Sequence, residues 1–155
     1  MKSWKVNLAV AWIAQFLCIA GFAVALPFLP FYVRELGVTD LHQVELWTGF
    51  LNSGAAVSMA LVSPVWGLLA DRRGRKLMVM RSTIAGSIVL AAMAFAGNVQ
   101  QLFMLRVIQG MITGTVPAFM TLVASFSPPK QAGFSLGLMQ MAVYLGSFVG
   151  PFIGG

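Results

Sequence analysis

Five stretches of this 155-residue chain, near residues 7–33, 46–70, 77–97, 102–126 and 132–155, carry no acid and at most one cation each. The hydrocarbon core of a bilayer, about 30 Å thick, is crossed by about 20 helical residues, so each stretch predicts a membrane-spanning helix. A backbone in hydrocarbon must satisfy its own hydrogen bonds, which leaves helices or closed barrels. These runs have neither the two-residue alternation nor the short length of barrel strands. The expected fold is an all-α membrane bundle. Composition agrees: 59% of residues are apolar and 9% charged, against about 25% charged in a soluble domain, and mean hydropathy is +0.86.

A signal peptide is the competing reading of the first stretch, because Lys2 and Lys5 precede it and Ala23-Val24-Ala25 has a small-x-small pattern. Length rejects it. The uncharged segment from Val6 to Val33 exceeds the roughly 7 to 15 apolar residues of a signal-peptide core. Between the stretches lie only short intervals, marked by Gly37, Asp40 and His42, by a basic cluster, by Gly97-Asn98 and by Pro128-Pro129. Such connections predict tightly packed antiparallel neighbours.

Counting cations on alternate sides puts Lys2, Lys5, Arg72, Arg73, Arg75, Lys76, Arg81 and Lys130 together, against Arg34 alone opposite. The amino terminus is therefore expected on the cytoplasmic side of the inner (plasma) membrane. These flanking cations account for the net charge of +6, so no nucleic-acid partner is required. Cys18 is the only cysteine and His42 the only histidine, with no further ligands beside either. No phosphate-cradling glycine loop leads into a Lys-Ser or Lys-Thr pair. No enzyme activity, metal or cofactor is expected.

Three groups of residues carry chemistry beyond spanning. In the turn from Gly67 to Lys76, Gly67 allows a second helix to approach, Gly74 permits a positive φ, and Arg72, Arg73, Arg75 and Lys76 hold the loop at an anionic leaflet. Asp71 is the only acid among these cations. Lying at the carboxyl end of its helix, it gains only if it meets a basic side chain or the positive end of another helix; a solvated aspartate in an ordinary basic loop is the alternative. Arg106, Gln109, Gly110, Thr113, Gly114 and Pro117 recur at helical intervals and give the fourth helix a polar or small face toward the interior, although Arg106 alone could snorkel to the interface. Gly146, Gly150 and Gly154 form a smooth stripe for close helix contact, and Pro151 removes one hydrogen-bond donor, which can bend the helix.

Taken together, these motifs resemble those of the major facilitator superfamily. Gly67 to Lys76 is similar to its signature loop between helices 2 and 3, and Arg106-Val107-Ile108-Gln109-Gly110 resembles its Arg-x-x-Gln-Gly element. The run Gly146 to Gly155 is similar to the Gly-x-x-x-Gly-Pro-x-x-Gly-Gly motif of its drug/proton antiporters, and Gly21 with Pro27-Phe28-Leu29-Pro30 resembles the twelve-helix efflux branch. The resemblance implies a proton-coupled exporter of small apolar or cationic compounds, working by alternating access, with no cofactor. Arg106 would help move protons, and Gly150-Pro151 with Gly154 and Gly155 would seal an inward leak. Helices 1, 2, 4 and 5 would line a central cavity with helix 3 outside, for which Gln15, Phe22, Asn52, Thr113, Gln140 and Tyr144 are the wall candidates. No acid lies at membrane depth, so the carboxylate that such coupling needs is expected elsewhere or at Asp71 or Glu35. The glycine ending, with an odd number of helices, leads us to expect the amino-terminal part of a longer transporter whose carboxyl-terminal half completes the cavity. An uptake symporter of the same fold and a non-transporting assembly subunit are the alternatives.

Overall fold

The computed structural model describes residues 3–154. Its helices are α1 (Ser3–Ala25), α2 (Leu29–Glu35), α3 (Leu41–Arg73), α4 (Arg75–Met93), α5 (Val99–Ile112), α6 (Thr115–Phe126) and α7 (Ala132–Gly154), with a 3-10 turn at Pro129–Gln131 before α7. Among the described residues five segments are long and apolar enough to cross a membrane: Trp4–Ala25, Leu41–Arg73, Arg75–Met93, Val99–Phe126 and Pro129–Gly154.

Boundaries differ from the expected ones where backbone chemistry outweighs hydropathy. The first stretch does not run unbroken to residue 33, because it turns at residues 26–28 and restarts as α2, with Pro30 in the first turn. A proline has no N–H to give and fits best where none is needed. The second helix begins earlier than residue 46, where the Asp40 side chain accepts from the His42 N–H at 3.3 Å. The fourth stretch is two helices: Thr113 is extended (ψ −155°) and Gly114 is left-handed (φ +114°). A side chain at that φ costs about 1–2 kcal/mol, so Gly114→Ala is expected to lower thermal stability by about that amount, read from melting in detergent. Between α3 and α4 the connection is Gly74 alone, at φ +95° and ψ +138°, with its N–H bonded to the Ala70 carbonyl at 3.0 Å.

Consecutive spans joined by short connections are in contact, α3 with α4, α4 with α5 and α6 with α7, and packing extends beyond these neighbours. The most extensive contacts join α1 to α7 and α3 to α5. Both pairs run parallel, since Trp12 reaches Leu138 while Ala23 meets Gly150, and Trp47 meets Phe103 while Ala55 meets Gly110. Lipid tails are as apolar as leucine, so helices in a membrane choose partners by close van der Waals fit, and small residues decide it. For the same reason Leu61, Ile88 and Phe95 remain exposed on the outside without penalty. The buried core divides into one cluster around Val33, Leu51 and Leu102 and another around Leu8, Val123 and Met139.

Candidate functional site

Helix α5 starts where the Asn98 side chain accepts from the Gln101 N–H at 2.8 Å. From that start the 3.6-residue repeat places Arg106, Gln109 and Gly110 on one face, and all three are buried. Gly110 lets this face lie directly on α3, since a Cβ there would run into Ser58 Oγ and the Ala55 carbonyl. Arg106 is 8% exposed. Its Nη1 donates to Gln109 Oε1 at 2.8 Å, while its Nε has no partner among the described residues. A buried guanidinium with a free donor is costly unless another group comes to it, which distinguishes this arginine from one that snorkels into water.

Two cavities meet at Arg106. One, of about 280 Å³, is walled by Phe22, Leu26, Met59, Gln109 and Thr113. The other, of about 420 Å³, is walled by Phe28, Tyr32, Met93 and Leu102, and Glu35 is the only acid on its lining. Arg106 therefore stands between an inner cavity, open on one side and edged by the polar residues of α5, and an aromatic one toward α2.

A third space, a crevice of about 190 Å³, opens at the end that carries the basic turn and is bordered by Trp66, Asp71, Arg75, Arg81, Gly114 and Thr121. Asp71 Oδ1 lies 3.8 Å from Arg75 Nη2, and Arg75 Nη1 donates to the Thr121 carbonyl at 3.3 Å. The turn is thus tied across to α6. Arg72 and Arg73 sit on the negative end of α3, which favours them, whereas Arg75 and Lys76 open α4 at its positive end. Asp71 offsets that second, unfavourable placement.

Of the sequence candidates, Phe22 and Thr113 join Arg106, Gln109 and Gly110 at the inner cavity, and a Cβ on Gly86 would touch both of the former. Four others do not. Asn52 and Tyr144 are exposed, Gln140 is half-buried, and none lines the cavities beside Arg106. On α7 the buried face is Ser135, Met139, Ala142, Gly146 and Gly150, of which Gly146 and Gly150 lie against α1, and Gln140 and Tyr144 are rotated away from it by helical geometry. Gln15 is fully buried, with neither amide atom partnered among the described residues, and it also lies off both linings. A Cβ on Gly67 would meet nothing within 4 Å and the residue borders the crevice, so among the described residues no second helix packs against it.

The glycine stripe lies against α1. A Cβ on Gly146 would be 3.0 Å from the Ile19 Cβ, one on Gly150 2.5 Å from the Ala23 Cβ, and one on Gly154 3.0 Å from the Val24 Cγ1. Helix α7 continues through Pro151. Gly155 lies outside the described residues.

Sequence reading missed Trp66 and Arg81. The Arg81 guanidinium carbon is 3.3 Å above the centre of the Trp66 ring, and the indole Nε1 donates to the Met111 carbonyl at 2.6 Å. The available signal was Arg81 itself, a cation inside an apolar stretch rather than beside it.

Five helices long and apolar enough to cross a bilayer, with an arginine buried between two cavities in one of them, define a multi-pass membrane protein. The sequence agrees: the model of the Major Facilitator Superfamily matches residues 11–155, and the chain belongs to that family. It is 43% identical to the multidrug resistance protein MdtG of Proteus mirabilis over 154 residues, covering 99% of this chain and 38% of that protein. Similar matches are the MdtG proteins of a Rahnella species, 42% identical over 153 residues with 99% and 37% coverage, and of Escherichia coli O1:K1, 41% identical over 153 residues with 99% and 38% coverage. The chain thus spans less than two fifths of the length of the relatives it matches.

Proposed function

We propose that this chain is the amino-terminal part of a secondary active multidrug efflux transporter that exchanges protons for small apolar or cationic compounds by alternating access. The observation that carries the reading is Arg106, buried between two cavities with Gln109 as its hydrogen-bond partner and an Nε–H left free. A fixed cation with an unused donor lowers the proton affinity of any acid brought against it. Movement of the remaining transporter would bring such an acid to Arg106 or carry it away, and so bind or release a proton. Phe22 and Met59 give the inner cavity a deformable, aromatic wall suited to apolar and cationic cargo. The basic turn marks the cytoplasmic face of the inner membrane, and the turn of Asp71 and Arg75, tied to α6, acts as the gate on that side.

Reconstituted in liposomes, the complete transporter is expected to drive a labelled lipophilic cation against its gradient when a pH gradient is imposed, moving it opposite to the protons. Arg106→Gln is expected to reduce this coupled movement roughly ten- to hundredfold, the equivalent of one lost charge-assisted hydrogen bond. Movement of the cation in the same direction as protons would establish uptake instead. No gradient-dependent movement by the complete protein would establish an assembly role.

A further inference from the structure

The fourth span is broken at the place where its polar face ends, and a side chain from another helix holds the broken end. In a continuous helix the Met111 carbonyl would accept from the Thr115 N–H. The extended Thr113 and left-handed Gly114 remove that geometry, and a carbonyl left unpaired at membrane depth is costly. Trp66 Nε1 takes the place of the missing donor, at 2.6 Å from the Met111 oxygen.

The indole is itself held. Arg81 covers its face at 3.3 Å, and Arg81 Nε and Nη1 are buried with no hydrogen-bond acceptor among the described residues, so the ring is what they face. The stack stands at the border of the crevice, between two half-buried side chains. Helix α5 is consequently fixed to α3 at two adjoining points, Gly110 on Ala55 and Ser58, and Met111 on Trp66. Arg106 and Gln109 lie on the same last turns of α5. Thr113 and Gly114 border both the inner cavity and the crevice beside Asp71, so the break is the partition between them.

We infer that Trp66, clamped by Arg81, is a positioning residue of the Arg106 site: its N–H fixes the end of α5 and sets where the arginine and Gln109 stand relative to cargo. The inference rests on the efflux reading for its effect on transport, but not for its effect on the backbone.

The test is Trp66→Phe in the complete transporter, which keeps an aromatic face for Arg81 and removes only the donor. Hydrogen–deuterium exchange over residues 113–118 is expected to speed up roughly tenfold, with residues 99–105 changed less than about twofold. The ethidium concentration giving half-maximal export is expected to rise about fivefold while the maximal rate stays within about twofold, as for a group acting through the geometry of a binding site. Arg81→Gln should move both readouts in the same direction, and Arg81→Lys should restore part of each. Unchanged exchange over residues 113–118 overturns the inference, as does faster exchange with parental export kinetics. A parent protein that exports nothing overturns the efflux reading alone, and the exchange measurement then decides whether Trp66 holds the break.

Discussion

Asp71→Asn in the complete transporter is expected to bring drug export down to background, a fall of roughly a hundredfold, with membrane insertion and melting temperature unchanged. The separation of function from stability follows from the geometry. Asp71 is 71% exposed and its 3.8 Å pairing with Arg75 is loose. Exposed ion pairs of this kind contribute about 0–1 kcal/mol to folding, so the substitution leaves the bundle intact. What it removes is the only negative charge in a turn whose other charged residues are Arg72, Arg73, Arg75 and Lys76. Arg75 then loses its counter-charge while still bonded to the Thr121 carbonyl, and on the proposed efflux reading the turn no longer offers a carboxylate to the positive pole of a helix in the rest of the transporter. Export assayed as drug resistance, alongside protein level and melting in detergent, checks the expectation. Normal resistance in that variant would remove the turn from the gating mechanism.

The number of membrane helices and the positions of the charged turn and glycine stripe were legible because they depend on hydropathy and local spacing. Helix breaks were less so. Pro64 and Pro151 lie inside unbroken helices, yet the fourth span is broken at Thr113-Gly114, where the sequence offers only one more glycine among many. The difference is whether a neighbour can satisfy the freed backbone groups, and that depends on Trp66, which lies in a different helix. What a polar face meets is likewise a matter of packing. Polar residues at helical spacing identify a face but not what it faces: Gln109 and Thr113 look into the inner cavity, while Gln140 and Tyr144 sit on the side of α7 that its contact with α1 leaves outside. In the sequence Arg81 is one more positive residue near the basic turn, since its aromatic partner lies fifteen positions away on α3 and comes close only where α3 packs against α4.

Gly150→Val is the substitution expected to damage the fold most. The position is already at the limit, because even a methyl group there would stand 2.5 Å from the Ala23 Cβ and 2.8 Å from the Ala20 carbonyl. Contacts this short cannot be relieved by rotating a flexible side chain, as both neighbours belong to the α1 backbone or its first carbon. The helices must separate, and α1 against α7 is the most extensive contact of the bundle. Overpacking a close interface typically costs about 1–3 kcal/mol; here the loss should reach or exceed the upper figure, with the melting temperature and the yield of monodisperse protein both falling. Gly137→Val is the matched control on the same helix, since nothing lies within 4 Å of a Cβ there, and it should change stability by less than about 0.5 kcal/mol. Pro151→Ala separates packing from hinging. It leaves the stripe untouched and returns an N–H to α7, so it should preserve stability. Increased proton leak in the complete transporter carrying it would establish that the proline has a mechanical role beyond the glycine contact, whereas parental leak and parental export would leave Gly146, Gly150 and Gly154 as packing residues alone.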